Sequence, residues 1–210
     1  MIGYNHLGKN GRLGNQMFQY ATTRGIAASK GYDFTIPDSD FKDQWNDHQL
    51  FDAFKMSGAK NIGFIDAQYY KEPDNHSHVY LQHYVDNCPD NISLYGYFQT
   101  EKYFRHIANE IREDFTFVDD ILTPCKDAFS FDDVISLHVR RSDYLSTTNV
   151  AYHSNCGDNY YENAINEFDS NLPVLIFSDD TEWCKQQDIF KPKRFFISET
   201  GNNLMDMCLM

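Results

Sequence analysis

A short apolar strand over residues 2–7 runs into the loop Gly8-Lys9-Asn10-Gly11-Arg12-Leu13-Gly14-Asn15, and an amphipathic helix follows with Met17, Phe18, Tyr20, Ala21 and Ala28 on one side. Gly31 stands where a left-handed residue would close that helix, and residues 32–36 then read as a second strand, stopped by Pro37. Two strands joined through a helix are positioned to pair in parallel, because parallel partners need a crossover between them. The chain therefore opens with the signature of an α/β fold built on parallel sheets.

The chain has 210 residues, and at roughly 150 residues per domain that is about 1.4 domains. One large α/β unit or two small ones fit. A hydrophobic fraction of 41% with 23% charged residues excludes a disordered tail or a coiled coil. Residues 38–75 are polar, acidic and irregular, with one apolar pulse at Leu50, Phe51 and Phe54. Alternation at Val79, Leu81, His83 and Val85, and again at Ile92, Leu94, Gly96 and Phe98, predicts two strands around Pro89. Thr100 is then placed to cap a long helix whose stripe is Tyr103, Phe104, Ile107, Ala108, Ile111 and Phe115.

The looser stretch 116–133, with Pro124 inside it, is the expected boundary, dividing the chain into units 1–125 and 126–210. Beyond it come a strand over 134–139, a helix from Asp158 carrying Tyr161, Ala164, Ile165 and Phe168, and buried strands over 174–177 and 195–197. A last apolar stripe at Leu204, Met205, Cys208 and Leu209 begins a helix whose sheet neighbour does not follow, so the second unit reads as incomplete.

Eighteen Lys and Arg against 31 Asp and Glu give a net charge of −13, which repels the phosphate backbone that a nucleic-acid partner would present. A small anion remains a fitting ligand where a few cations and backbone N–H groups converge. The five cysteines are an odd number without a Cys-x-x-Cys pair, which points to a reducing compartment and no structural zinc. The N-terminus lacks the pattern of a signal peptide, and no apolar run approaches the ~18 residues of a membrane span. A cytoplasmic protein without a transmembrane segment is expected.

Open α/β sheets bind ligands at the carboxyl ends of their strands, and three segments stand there. In the first, Gly11-Arg12-Leu13-Gly14-Asn15-Gln16 leads into a helix start. Its glycines permit close backbone approach, its N–H groups are unpaired, and Arg12 adds a cation, which together suit an anion or a sugar hydroxyl. The second is His138-Val139-Arg140-Arg141-Ser142-Asp143. Strand alternation puts His138 and Arg140 on one face and Arg141 on the other, so Arg140 offers its planar fork to a phosphate while Arg141 folds onto Asp143 as scaffolding. The third is Phe177-Ser178-Asp179-Asp180, in which Asp180 suits a helix N-cap and Asp179 is the better placed to hold a guanine edge or a ribose. Asp38-Ser39-Asp40 has the spacing of a metal-diphosphate motif, but its loop-like acidic context argues against it.

Four segments in order resemble the bacterial-type α-1,2-fucosyltransferases. They are Gly11-Arg12-Leu13-Gly14-Asn15-Gln16-Met17-Phe18-Gln19-Tyr20-Ala21, Leu94-Tyr95-Gly96-Tyr97-Phe98-Gln99-Thr100-Glu101-Lys102-Tyr103-Phe104, His138-Val139-Arg140-Arg141-Ser142-Asp143-Tyr144, and Phe177-Ser178-Asp179-Asp180-Thr181-Glu182-Trp183-Cys184. The resemblance implies a GT-B-like architecture of two Rossmann-type parallel-sheet units facing a cleft, with the acceptor on unit 1–125 and GDP-fucose on unit 126–210. It implies an inverting transfer of L-fucose from GDP-β-L-fucose to the 2-hydroxyl of a galactose-terminated oligosaccharide in a surface glycan, with no metal and no cofactor.

By motif, Arg140 and Asn15 are implied as catalytic, Arg140 as the diphosphate ligand, and His138 and Asp179 as guanine contacts. Gly14 and Asn15 face the transferred sugar, Arg12 joins the donor site, and Arg141 and Asp143 support it. Members of that family continue past the segment resembling residues 203–210 into a Ser-Phe-Ser-Trp-Trp motif that helps close the donor site. Without it the 210-residue chain is expected to bind donor weakly and turn over slowly. Self-association through the unfinished C-terminal face and peripheral membrane association are further expectations.

Overall fold

In the computed structural model, which describes residues 1–40, 47–128, 133–146 and 156–210, every pairing between named strands is parallel. The strands fall into a four-stranded and a three-stranded sheet. The described chain divides into two compact units, Met1–Val118 and Asp119–Met210.

The first unit runs β1 (Ile2–Gly3), α1 (Leu13–Lys30), β2 (Phe34–Thr35), α2 (Leu50–Ala53), β3 (Gln68–Lys71), α3 (Gln82–Asp86), β4 (Ile92–Tyr95) and α4 (Ala108–Asp114). Its sheet order is β2-β1-β4-β3. Ile2, Tyr4, Tyr20, Ile26, Leu94 and Phe98 are fully buried and make up much of the core. Gly31 closes α1 at φ +67°, its N–H reaching the carbonyls of Ala27 and Ala28. That is the left-handed close expected of a glycine after the last turn.

A carboxylate that the sequence does not advertise holds this unit together. Asp114 is 1% exposed and accepts bonds from Tyr20 Oη (2.6 Å), Gly58 N–H (2.7 Å) and Ser57 Oγ (3.2 Å). It also pairs with Arg24. A buried charge is tolerable only when it is matched this fully.

Three expectations fail here. Residues 79–85 do not form a strand: α3 covers Gln82–Asp86, and the neighbours Tyr84 and Val85 are both buried. A half-buried strand would send them to opposite faces. Tyr84 and Tyr70 exchange hydroxyl-to-carbonyl bonds (2.8 and 3.2 Å), which pins α3 to β3. That strand lies within residues 38–75, which read as irregular because β3 is an edge strand whose side chains are mostly exposed. Residues 41–46 of that stretch lie outside the described residues.

The long helix from Thr100 is instead two 3₁₀ turns (Glu101–Tyr103 and Arg105–Ile107) followed by α4, and Thr100 makes no side-chain cap bond. The break coincides with the close approach of α1. A Cβ added to Gly25 would lie 2.4 Å from the Tyr103 carbonyl oxygen and 2.8 Å from Phe104 Cα.

The second unit runs α5 (Asp119–Ala128), β5 (Ile135–Val139), α6 (Asp158–Asn166), β6 (Val174–Ser178), α7 (Thr181–Gln186), β7 (Phe195–Ile197) and α8 (Asn203–Leu209), with sheet order β5-β6-β7. One sheet face packs Ile135, Val139, Val174 and Ile176 against Tyr161, Ile165, Cys184 and Phe190. The compact units part after Val118 rather than at 125, because most of the stretch read as loose is α5, with Pro124 inside it. Residues 129–132 lie outside the described residues. Helix α8 packs on α5, with Cys125 Sγ 3.6 Å from the Met205 carbonyl oxygen. Leu204, Met205, Cys208 and Leu209 are consequently half-buried rather than bare.

Candidate functional site

In the second unit, parallel pairing sets His138 beside Phe177 and Val139 beside Ser178. The segments after β5 and β6 thus leave the sheet side by side, and two segments that the sequence presents separately become one cluster. Asp179 Oδ1 accepts the Arg141 N–H (2.8 Å), the Asp179 carbonyl accepts Ser142 Oγ (2.8 Å), and Ser178 Oγ donates to the Val139 carbonyl (2.8 Å). Asp180 caps α7 through the Trp183 N–H (3.1 Å), as its position predicts.

The two arginines divide differently from the expectation. Asp143 pairs with Arg140, not Arg141, through Nε–Oδ1 (3.0 Å) and Nη2–Oδ2 (2.6 Å). Arg141 turns the other way, with Nε 3.3 Å from Asp180 Oδ2 and Cζ 3.9 Å from the Trp183 ring centroid. Strand alternation decides where the two arginines point, and the turn after β5, closed by the Leu145 N–H on the Arg141 carbonyl (3.0 Å), brings Asp143 to Arg140. Arg141 follows the core-facing Val139 by two residues, so it lands over α7, while Arg140 shares the opposite face with His138.

Asp143 grips Arg140 along its Nε–Nη2 edge, and Tyr144 stacks on the guanidinium at 4.9 Å. The Nη1 donors keep no protein partner among the described residues. Hydrogen bonding to Asp143 is the main reason the guanidinium holds its proton even more firmly than usual. Arg140 is thus a fixed, permanently charged fork, with the pair about one third exposed (34% and 30%). His138 and Asp179 are exposed beside it. Two of the cluster's three carboxylates, Asp143 and Asp180, are paired with arginines. The third, Asp179, stands beside Arg140, whose Nη1 side is open, a combination that suits a nucleotide diphosphate.

The other predicted residues, Arg12, Gly14 and Asn15, belong to the first unit and stand together at the start of α1. Gly11 takes φ +89°, a conformation that only glycine adopts without strain. Asn15 Oδ1 accepts a bond from Gln99 Nε2 (2.7 Å). Arg12 and Gly14 are exposed, and nothing lies within 4 Å of a Cβ added at Gly14.

Two glutamines outside the predicted site residues hold this loop. Gln16 and Gln19 are both fully buried. Gln19 Nε2 reaches the carbonyls of Asn10 (2.8 Å) and Gly96 (3.3 Å). Gln16 Nε2 reaches the Asp47 carbonyl (2.6 Å), and Gln16 Oε1 accepts the Gln49 N–H (2.9 Å). Two glutamines three apart, followed by Thr22 and Thr23, give the buried side of α1 four polar residues and were the available signal. Beside the loop lies a cleft of about 390 Å³, lined in part by Asn10, Lys71, Glu72, Asp74, Tyr95 and Tyr97. Glu72 accepts the N–H groups of Tyr97 (2.7 Å) and Phe98 (3.1 Å) and fixes the turn after β4. The Asp38 carboxylate folds back on its own turn, accepting the Asp40 N–H (3.2 Å).

The description "Glycosyl transferase family 11" matches residues 1–210. An Escherichia coli α-1,2-colitosyltransferase is 31% identical over 205 residues, covering 84% of this chain and 69% of the relative. Human galactoside α-(1,2)-fucosyltransferase 1 is 25% identical over 193 residues, covering 84% of this chain and 51% of its own. Among solved structures, the NodZ α-1,6-fucosyltransferase soaked with GDP-fucose superposes at a TM-score of 0.54 with 13% identity, over 99% of this chain and 80% of that one. At that identity the likeness speaks for the fold alone, which is α/β and GT-B-like. The motifs, the two parallel sheets and a family match along the whole sequence agree, and the chain belongs to glycosyl transferase family 11, the α-1,2-fucosyltransferase family.

Proposed function

We propose that the chain transfers a fucosyl group from GDP-β-L-fucose to the 2-hydroxyl of a galactoside, with inversion and without a metal. The observation that carries this reading is the Arg140 fork, oriented by Asp143 with its Nη1 side open. Transfer breaks the bond between the sugar's anomeric carbon and the diphosphate oxygen and forms one to the acceptor oxygen. The acceptor proton passes to a base, and negative charge grows on the GDP that leaves. A preorganised cation already in place for that charge lowers the barrier without reorganisation. On this reading His138 and Asp179 contact the guanine, and Arg12, Gly14 and Asn15, assigned by motif, serve the transferred sugar.

The α-1,2 linkage in the names of the colitosyltransferase and the galactoside fucosyltransferase supports the regiochemistry. The former also favours a second reading, in which the transferred group is colitosyl rather than fucosyl. Calorimetric titration with GDP-fucose, GDP-mannose and GDP, each with and without EDTA, tests the donor side. Binding of GDP-fucose that survives the chelator is expected. Loss of binding in EDTA, restored by manganese, would reject the metal-free reading, and equal affinity for GDP-mannose would reject the sugar assignment.

A further inference from the structure

Asn15 is an amide with a donor end and an acceptor end, and which end meets a ligand depends on what holds the other. Its Oδ1 accepts from Gln99 Nε2 at 2.7 Å. Its Nδ2 lies over Gly11, where an added Cβ would come within 2.1 Å of it. Gln99 is itself fixed in the chain, since its N–H bonds the Ser77 carbonyl (2.6 Å) and the preceding Phe98 N–H is held by Glu72. The Asn15 carbonyl is therefore turned away to Gln99, and its NH₂ is left on the glycine-loop side, where helix α1 begins. The first N–H groups of a helix have no intrahelical partner, so the same place already presents donors.

We infer that Gln99 is a positioning residue that sets the Asn15 side chain as a hydrogen-bond donor to an oxygen of the donor substrate. This rests on the function proposed above. The oxygen is a phosphate oxygen or an oxygen of the transferred sugar, and the chemistry asked of Asn15 is the same for both.

Charge and shape make opposite demands of Gln99, which separates this role from simple packing. Gln99→Glu keeps the size of the side chain and still bonds Asn15, but only by accepting, so the Asn15 amide must turn over and present its carbonyl. Gln99→Ala removes the lock and leaves the amide free to adopt either orientation. If Gln99 merely fills space, alanine is the more harmful change. If it orients Asn15, glutamate is the more harmful, and it should mimic Asn15→Asp, which replaces the donor directly.

The test compares the 210-residue wild type with Q99E, Q99A and N15D. Turnover of GDP-fucose should fall roughly 10–100-fold in Q99E and N15D, the range for losing a hydrogen bond to a charged or developing charge. Q99A should fall less than Q99E. The opposite order, or equal loss in Q99E and Q99A, overturns the inference. Weakened affinity for GDP as well as GDP-fucose identifies a phosphate oxygen, and weakening for GDP-fucose alone identifies a sugar oxygen.

A second measurement does not depend on activity. In ¹⁵N spectra of the unliganded protein, the Asn15 side-chain NH₂ should exchange with water more slowly in Q99E than in wild type, because it then bonds the new carboxylate. Unchanged exchange refutes the assignment. A wild type that neither binds nor turns over GDP-fucose refutes the proposed function, while this exchange result still decides the orientation of Asn15.

Discussion

Arg141→Ala should unfold the second unit more readily, and Arg140→Ala should leave it intact while disabling donor binding. The Arg141 guanidinium sits 3.9 Å from the Trp183 ring centroid with its side chain 15% exposed. A partly desolvated cation–π contact of that kind stabilises by about 1–2 kcal/mol. The bond to Asp180 at 3.3 Å adds up to about 1 kcal/mol, discounted because the carboxylate is one third exposed. Together the truncation costs about 2 kcal/mol. With a urea dependence of ~1–3 kcal/mol per molar, the midpoint should drop by roughly 1 M. Trp183 fluorescence is the reporter, in a Trp45→Phe background because the chain has two tryptophans.

Arg140 and Asp143 are each about a third exposed at 34% and 30%, so their pair contributes only ~0.2–1 kcal/mol to folding. Arg140→Ala should hold a near-native midpoint and lose roughly 10–100-fold in GDP affinity, as expected for a hydrogen bond to a charged group. Arg140→Lys should recover little, since an ammonium lacks the fork. A native midpoint in Arg141→Ala would refute the stability argument. Larger loss of GDP affinity in a well-folded Arg141→Ala than in Arg140→Ala would refute the division of roles.

Gly25→Ala, which in an open helix gains up to about 1 kcal/mol, should here destabilise by ~1–3 kcal/mol. The new Cβ meets the Tyr103 carbonyl oxygen at 2.4 Å, and a denaturation midpoint at or above wild type would contradict this. Gln19→Leu should cost about 1–3 kcal/mol in the same assay, since it strips the Asn10 carbonyl of its Gln19 donor and removes one of the donors to Gly96. His6 lies edge-on to Tyr69 and Tyr95 (4.9 and 5.1 Å), and burial, with Lys9 adding to it, holds its imidazole below the ordinary value of 6.5. The unfolded chain then binds the proton more readily, so the His6 contribution to stability is present above about pH 6.5 and lost as pH falls through the lower folded value. His6→Phe should flatten that part of the stability profile, and an NMR titration midpoint at or above 6.5 would show the direction to be wrong.

The opening β–loop–α–β of residues 2–36 was legible because hydrophobic period, glycine punctuation and a helix-closing Gly31 all agree there. So was the N-cap at Asp180. β3 was not legible, because an edge strand with exposed Gln68, Tyr69 and Lys71 is held by backbone pairing that leaves no apolar alternation. The break after Thr100 was hidden for a related reason: its apolar stripe is real, but the approach of Gly25 on α1 is a tertiary fact. At the candidate site, motif and strand alternation placed His138 and Arg140 on one face, and the chain bears out Arg141 on the other. Which arginine Asp143 would choose depended on the path of the segment after β5. Gln99 gave no signal of its own, since its role exists only through the fold that brings it to Asn15.

The central claim is most directly tested by incubating the purified chain with GDP-fucose and a β-galactoside in EDTA and determining the product linkage by NMR. A fucosyl-α-1,2-galactoside, formed by the wild type and lost with Arg140→Ala, is the predicted result. A product joined at another hydroxyl, or transfer that Arg140→Ala leaves undiminished, would contradict it.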